Sequence, residues 1–135
     1  MTSFSPFIEA EVEQSIVRRF ERQVELFGRR TAIVDRQREY TYEQLNRAAN
    51  TVARALARIT GPEPTRVAIY MDKGGAYLAA IFAVLKAGHA YVPLDPAFPR
   101  ERNSFLVQDA AAPVVLTSGV HARALRELAG TTTTI

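Results

Sequence analysis

Apolar residues recur along this chain at two different periods, and the elements change where the period changes. Val12, Ile16, Phe20, Val24 and Phe27 are spaced by four and three, the stripe of an amphipathic helix. Glu9, Glu11 and Glu13 lie at its positive end and Gly28 follows its last apolar position. The helix is therefore expected from Val12 to Phe27, after an irregular lead-in over residues 1–11 that holds Pro6, Phe4 and Phe7. Residues 31–35 and 38–41 are short β-prone runs around Arg36-Gln37 and predict a hairpin, although the turn lacks glycine or asparagine. The second run enters a helix through Thr41-Tyr42-Glu43-Gln44, where threonine and glutamine three residues apart are the two halves of a capping box. Leu45, Ala48, Ala49, Val52, Ala53 and Leu56 give that helix one apolar face, and Thr60-Gly61-Pro62 stops it.

Further along, Val67-Ala68-Ile69-Tyr70-Met71 is continuously apolar, which is the pattern of a strand buried on both faces. Asp72-Lys73-Gly74-Gly75 turns the chain into a helix over residues 76–86 that is apolar nearly all round and should be buried. Gly88 closes this helix, with Lys86 at the negative end of its dipole. Ala90-Tyr91-Val92 reads as a strand, which Pro93 and Pro96 are expected to end, leaving Leu94-Asp95 in an extended exit loop. Pro99 suits the first position of a helix in which Phe105 and Leu106 face inward and which ends before Pro113. Val114-Val115-Leu116-Thr117 is another buried strand, Ser118-Gly119-Val120 leads into a helix through Leu128, and the β-branched residues 131–135 begin one more strand.

Helix, hairpin, then strand and helix alternating three times predicts an α/β fold: a mainly parallel sheet with right-handed crossovers and helices on both faces, preceded by the N-terminal helix and the hairpin. A length of 135 residues, with 47% hydrophobic and 23% charged residues, suits one domain with a sizeable core. The absence of cysteine excludes disulfides and thiolate metal sites, and His89 and His121 offer no metal-ligand spacing. No apolar run is long and uncharged enough to span a bilayer and no basic flank of a signal peptide precedes one, so the expectation is a cytoplasmic protein without a membrane partner. Apart from Lys73 and Lys86, the 17 basic residues are all arginine, and the net charge is +3. Glu21, Glu25, Asp35 and Glu39 dilute the cluster around Arg18, Arg19, Arg22, Arg29, Arg30, Arg36 and Arg38. No nucleic-acid module accompanies it, so a nucleic-acid partner is not expected.

Two stretches carry a resemblance to a known family. Leu85-Lys86-Ala87-Gly88-His89-Ala90-Tyr91-Val92-Pro93-Leu94-Asp95-Pro96 resembles the second core motif of the adenylation domains of nonribosomal peptide synthetases, which belong to the adenylate-forming, AMP-dependent synthetase/ligase enzymes. Every position but the variable one, held by His89, follows the pattern. Tyr40-Thr41-Tyr42-Glu43-Gln44-Leu45 resembles the first core motif, with Tyr40 for the usual leucine and Gln44 for glutamate. The family's Asp-Lys-Ser turn is replaced by Asp72-Lys73-Gly74-Gly75. The resemblance runs from about Val12 to Leu128. It implies that residues 12–135 are the N-terminal portion of an adenylation (AMP-binding) domain, an incomplete part of the larger adenylate-forming fold. The residues matching its motifs, Thr41, Tyr42, Glu43, Leu45, Leu85, Lys86, Gly88, Ala90, Tyr91, Pro93 and Asp95, are expected to be structural.

The family uses ATP and magnesium to convert an amino acid to its aminoacyl adenylate, then transfers it as a thioester to a carrier domain. The phosphate-cradling loop, the substrate-pocket residues and the C-terminal catalytic lysine that this implies have no match in these 135 residues. Thr117-Ser118-Gly119 echoes the start of the phosphate loop without its threonine pair or its basic residue. The expectation is a scaffold segment that is inactive alone, with no catalytic or metal-ligating residue and Lys73 as the one candidate for a nucleotide contact. Its partners would be the remainder of the adenylation domain and a carrier domain. Two alternatives stand beside it: a non-catalytic docking module, and a subunit completed in trans. An open sheet edge or apolar face would further allow a homo-oligomer.

Overall fold

The computed structural model describes residues 6–129 and 133–134, without the side chains of 127–129 and 133–134. Helices α1 (Ile16–Phe27) and α2 (Tyr42–Thr60) bracket a hairpin of β1 (Thr31–Val34) and β2 (Glu39–Thr41). There follow β3 (Arg66–Tyr70), α3 (Gly75–Lys86), β4 (Ala90–Leu94), α4 (Arg100–Asp109), β5 (Val114–Thr117), α5 (Ala122–Ala129) and β6 (Thr133–Thr134). The last four strands form a parallel sheet of order β4-β3-β5-β6, while β1 and β2 pair antiparallel apart from it. This is the expected α/β architecture, and the strand begun in the terminal threonine run is present.

Burial explains the layers. β3 is apolar without alternation because both of its faces are covered: Val67 and Ile69 pack with Leu56 of α2 and Ala80, Ala83 and Val84 of α3, whereas Ala68 and Tyr70 pack with Val107 of α4 and Leu125 of α5. A smaller cluster of Phe20, Leu45 and Ala79, joined by Val24, Ile33 and Phe82, ties α1 and the hairpin onto α2 and α3. The rings of Phe20 and Phe82 stack there, 3.9 Å apart.

Several local expectations are corrected. The first helix starts at Ile16, because Ser15 Oγ accepts the Arg18 N–H at 3.2 Å and caps it there; a short 3-10 turn over Glu9–Glu11 precedes it. Val12 and Ile16, counted in the apolar stripe, are 62% and 68% exposed. Gly28 keeps right-handed helical angles and closes nothing by a left-handed turn. Phe7 lies beneath the Arg19 guanidinium, which also pairs with Glu11, so the lead-in is tied to α1 through one arginine; Phe4 lies outside the described residues. Pro93 does not end its strand: β4 continues through Pro93, paired with Ile69, to Leu94, paired with Tyr70. That is possible because β4 is an edge of the described sheet, where a missing N–H faces no neighbouring strand. Pro99 occupies the cap position of α4 rather than its first turn, and Phe105 points outward at 63% exposure while Asn103 and Val107 are buried.

Candidate functional site

In a parallel sheet, ligand sites collect beyond the carboxyl ends of the strands, where the chain's crossovers diverge. Here β3 lies between β4 and β5, so the residues at that end of the sheet are those that follow Tyr70, Leu94 and Thr117. A cleft of about 390 Å³ opens there between the β3 and β4 exits, lined among others by Asp72, Lys73, Tyr77, Asp95 and Phe98. On the β5 side, Thr117 Oγ1 donates to the Tyr70 carbonyl at 2.8 Å, and His121 Nε2 meets Asp72 Oδ2 at 2.9 Å with its ring edge-on to Tyr70. The Asp95 carboxylate accepts the Ala97 N–H at 2.9 Å, and its carbonyl accepts Phe98 N–H and Asn103 Nδ2, so the loop after β4 is folded on itself. Burial raises the Tyr77 phenol above its ordinary value, and the neighbouring Tyr91 and Asp95 add to this, so the group stays a hydrogen-bond donor.

Lys73 lines this cleft, but the helix beside it is already capped. The first N–H of α3, on Gly75, donates to Asp35 Oδ2 at 2.9 Å, and the same carboxylate accepts Gln37 and Arg38 N–H through Oδ1 at 2.8 and 3.0 Å. One carboxylate thus closes the β1–β2 turn that lacks glycine and asparagine, and also fills the positive end of α3 where a phosphate would sit. The three donors, Gly75 first, hold the Asp35 carboxyl below its ordinary value. ATP and magnesium therefore do not fit the residues present: the turn has one exposed lysine, its helix terminus is met by an anion, and no group of three His, Asp or Glu among the described residues could hold a metal.

The motif residues are spread over several elements and do not converge. In the first motif, Thr41 Oγ1 accepts Gln44 N–H at 3.2 Å while Gln44 Oε1 accepts Thr41 N–H at 2.9 Å, the reciprocal capping box. Tyr42 packs in the α1 cluster, Glu43 donates its N–H to the Gly28 carbonyl and pairs with Arg47, and Leu45 is buried. In the second motif, Gly88 takes φ 81°, its N–H bonds the Leu85 carbonyl and the His89 N–H bonds the Val84 carbonyl, which is a full Schellman closure. Lys86 pairs with Glu21 of α1, Ala90 N–H bonds the Thr65 carbonyl as β4 begins, and Tyr91 and Pro93 lie exposed along it.

Sequence reasoning missed Asp35, His89 and Asn103. His89, at the variable motif position, is 5% exposed. Thr65 N–H donates to its Nδ1 at 3.3 Å, which leaves the hydrogen on Nε2 to be given to Thr60 Oγ1 at 2.7 Å; that hydroxyl in turn donates to the Leu56 carbonyl. The ring thereby fastens the end of α2 to the start of β4. The Asp35 bond to Gly75 and the His89 bonds to Thr60 and Thr65 span 40, 29 and 24 residues, separations that carry no local signal.

The match of residues 20–135 to the model of the family described as AMP-binding enzyme covers most of the chain. The chain is 44% identical over 104 residues to tyrocidine synthase 1 of Brevibacillus parabrevis, covering 77% of this chain and 10% of that protein. It is 39% identical over 117 residues to N-(5-amino-5-carboxypentanoyl)-L-cysteinyl-D-valine synthase of Amycolatopsis lactamdurans, covering 86% of this chain and 3% of that one. Among solved structures, the nonribosomal peptide synthetase FmoA3 bound to α-methyl-L-serine-AMP superposes with a TM-score of 0.80 at 34% identity, over 88% of this chain and 13% of that one. A four-domain nonribosomal peptide synthetase bound to AMP and glycine gives 0.81 at 26% identity, over 91% and 9%. The chain thus spans a tenth or less of the length of these two curated relatives.

Proposed function

The chain belongs to the AMP-binding enzyme family, and from that premise we propose that it is the N-terminal scaffold of an amino-acid-activating adenylation domain, without activity of its own. The complete unit would join ATP and an amino acid into an aminoacyl adenylate and pyrophosphate, and then pass the acyl group to the thiol of a carrier domain. The observation that carries the scaffold reading is the use made of both motifs: a helix cap, a Schellman closure and an edge strand, each spent on holding α2, α3 and β4 in place. Asp35 at the α3 terminus supports the same reading, since a triphosphate there would meet a carboxylate. In this proposal the motif residues Thr41, Tyr42, Glu43, Leu45, Leu85, Lys86, Gly88, Ala90, Tyr91, Pro93 and Asp95 are structural, residues 12–135 form one unit, and ATP, magnesium and the amino acid are held by polypeptide beyond these residues.

The test is amino-acid-dependent exchange of pyrophosphate into ATP. The 135-residue protein alone is expected to give none with any standard amino acid and no saturable ATP binding, while mixing it with the separately produced remainder of an adenylation domain restores exchange. Exchange above blank by the isolated protein, lost on Lys73→Ala, would make the turn at Lys73 a nucleotide site and sink the proposal.

A further inference from the structure

From Gln44 to Pro62 the chain carries Arg47, Arg54 and Arg58 and no carboxylate. Arg47 and Arg54 are two turns apart and Arg58 one turn further, so one exposed side of α2 is a row of guanidinium groups. Beside the start of this row, α2 and β2 enclose a groove of about 540 Å³. Its lining combines apolar Ala48 and Val52 with Arg38, Gln44, Arg47 and Thr51.

These polar groups are held ready rather than consumed. The Arg38 guanidinium lies over the Tyr40 ring at 4.1 Å and interacts with the nearby Asp35 charge, but it makes no ion-pair contact with a carboxylate among the described residues. Arg47 spends one N–H on Glu43 at 3.0 Å, and among the described residues Arg54 approaches only the Thr51 hydroxyl, at 3.5 Å. Gln44 uses its carbonyl oxygen in the capping box, so its amide hydrogens remain to be given. The one acid on the wall, Glu39, is drawn to Thr31 Oγ1 at 3.3 Å across the hairpin.

We propose that this groove docks a short acidic polypeptide segment, its carboxylates taken by Arg38 and Arg47, with Arg54 and Arg58 extending the attraction along α2. Guanidinium groups with free edges pair with carboxylates bidentately, and the Gln44 amide hydrogens are suited to a main-chain carbonyl, whereas Thr51, whose hydroxyl donates to the Arg47 carbonyl at 3.0 Å, can only accept. A nucleic-acid strand is the poorer occupant: the aromatic face at the groove, Tyr40, is already covered by Arg38 and offers no base a stacking surface. A polypeptide neighbour is also the one the chain's kinship supplies, because it spans a tenth or less of the two curated relatives. The inference does not depend on where ATP binds.

The test is fluorescence anisotropy of a labelled glutamate-rich peptide titrated with the 135-residue protein, beside the same peptide with glutamine for glutamate. Saturable binding is expected for the acidic peptide, weakening with added salt, and at least tenfold weaker for the glutamine peptide. Arg38→Gln with Arg47→Gln should weaken it about tenfold, while Arg126→Gln on α5, across the sheet, leaves it unchanged. A circular dichroism spectrum checks that the double variant is folded, and backbone amide shifts in the unmodified protein should move within residues 38–60. Absent saturation, shifts outside that segment, equal binding by a folded double variant, or an oligonucleotide of matching charge competing as well as the peptide would each overturn the proposal.

Discussion

Two departures from the family's motifs, Tyr40 for leucine and Gly75 in the turn after β3, touch one another. A Cβ on Gly75 would sit 2.1 Å from Tyr40 Cε2, so the glycine is there because the ring fills the space. Gly75→Ala should destabilise the protein by about 1–3 kcal/mol as an overpacked contact, and Tyr40→Leu in the same chain should return much of it. Urea denaturation of the four proteins measures this, and simple additivity of the two substitutions would show that the residues are uncoupled. The Asp35 carboxyl, held below its ordinary value by Gly75, Arg38 and Gln37 N–H groups, makes a pH-dependent contribution. Because its folded pKa is depressed, that contribution is fully present above about pH 4, the unfolded range, and is lost as pH falls through the lower folded value. Asp35→Asn should flatten this part of a urea-midpoint-against-pH curve; an unchanged acid limb would place the effect elsewhere. The preference for arginine over lysine has a correlate at this scale: Arg19, Arg30, Arg38 and Arg102 each lie over an aromatic ring, where a planar guanidinium stacks and an ammonium cannot.

At the scale of elements, α2 and α3 are fixed to one another at both ends. Tyr40 meets Gly75 where the two helices begin, and Thr60 meets His89 where they finish, so the helices lie side by side in one direction over the same face of β3. The capping box sets where α2 starts and therefore where Leu45, Ala49 and Leu56 fall against the core. Thr41→Ala should cost about 1 kcal/mol, within roughly 0.5–2, by leaving the Gln44 N–H without its acceptor. An unchanged denaturation midpoint would mean that the helix can begin elsewhere without loss.

For the whole molecule, the open edge of β4 has the largest consequence. Tyr91 and Pro93 are exposed along it and no strand covers its outer side among the described residues. Pro93 removes one outward N–H, but the edge from Ala90 to Val92 remains a template for pairing, so the isolated protein is expected to self-associate weakly as concentration rises. Tyr91→Lys should shift the equilibrium toward monomer. Sedimentation that shows only monomer at high concentration would count against edge pairing.

The sequence by itself determined the elements and their order, because hydrophobic period, capping pairs and turn residues act over three or four positions and are written locally. Thr41 with Gln44 and Gly88 after Lys86 are of that kind, and the α/β class followed from them. It also carried the motifs by which the family is recognised. Tertiary structure decided the rest. Whether Pro93 interrupts a strand depends on whether β4 has a neighbour on that side, and whether Ile16 or Phe105 is buried depends on which helix face meets another element. Asp35 became a cap for α3, and His89 a clasp on α2, only when the fold brought distant segments within hydrogen-bonding distance. No local pattern encodes such a meeting.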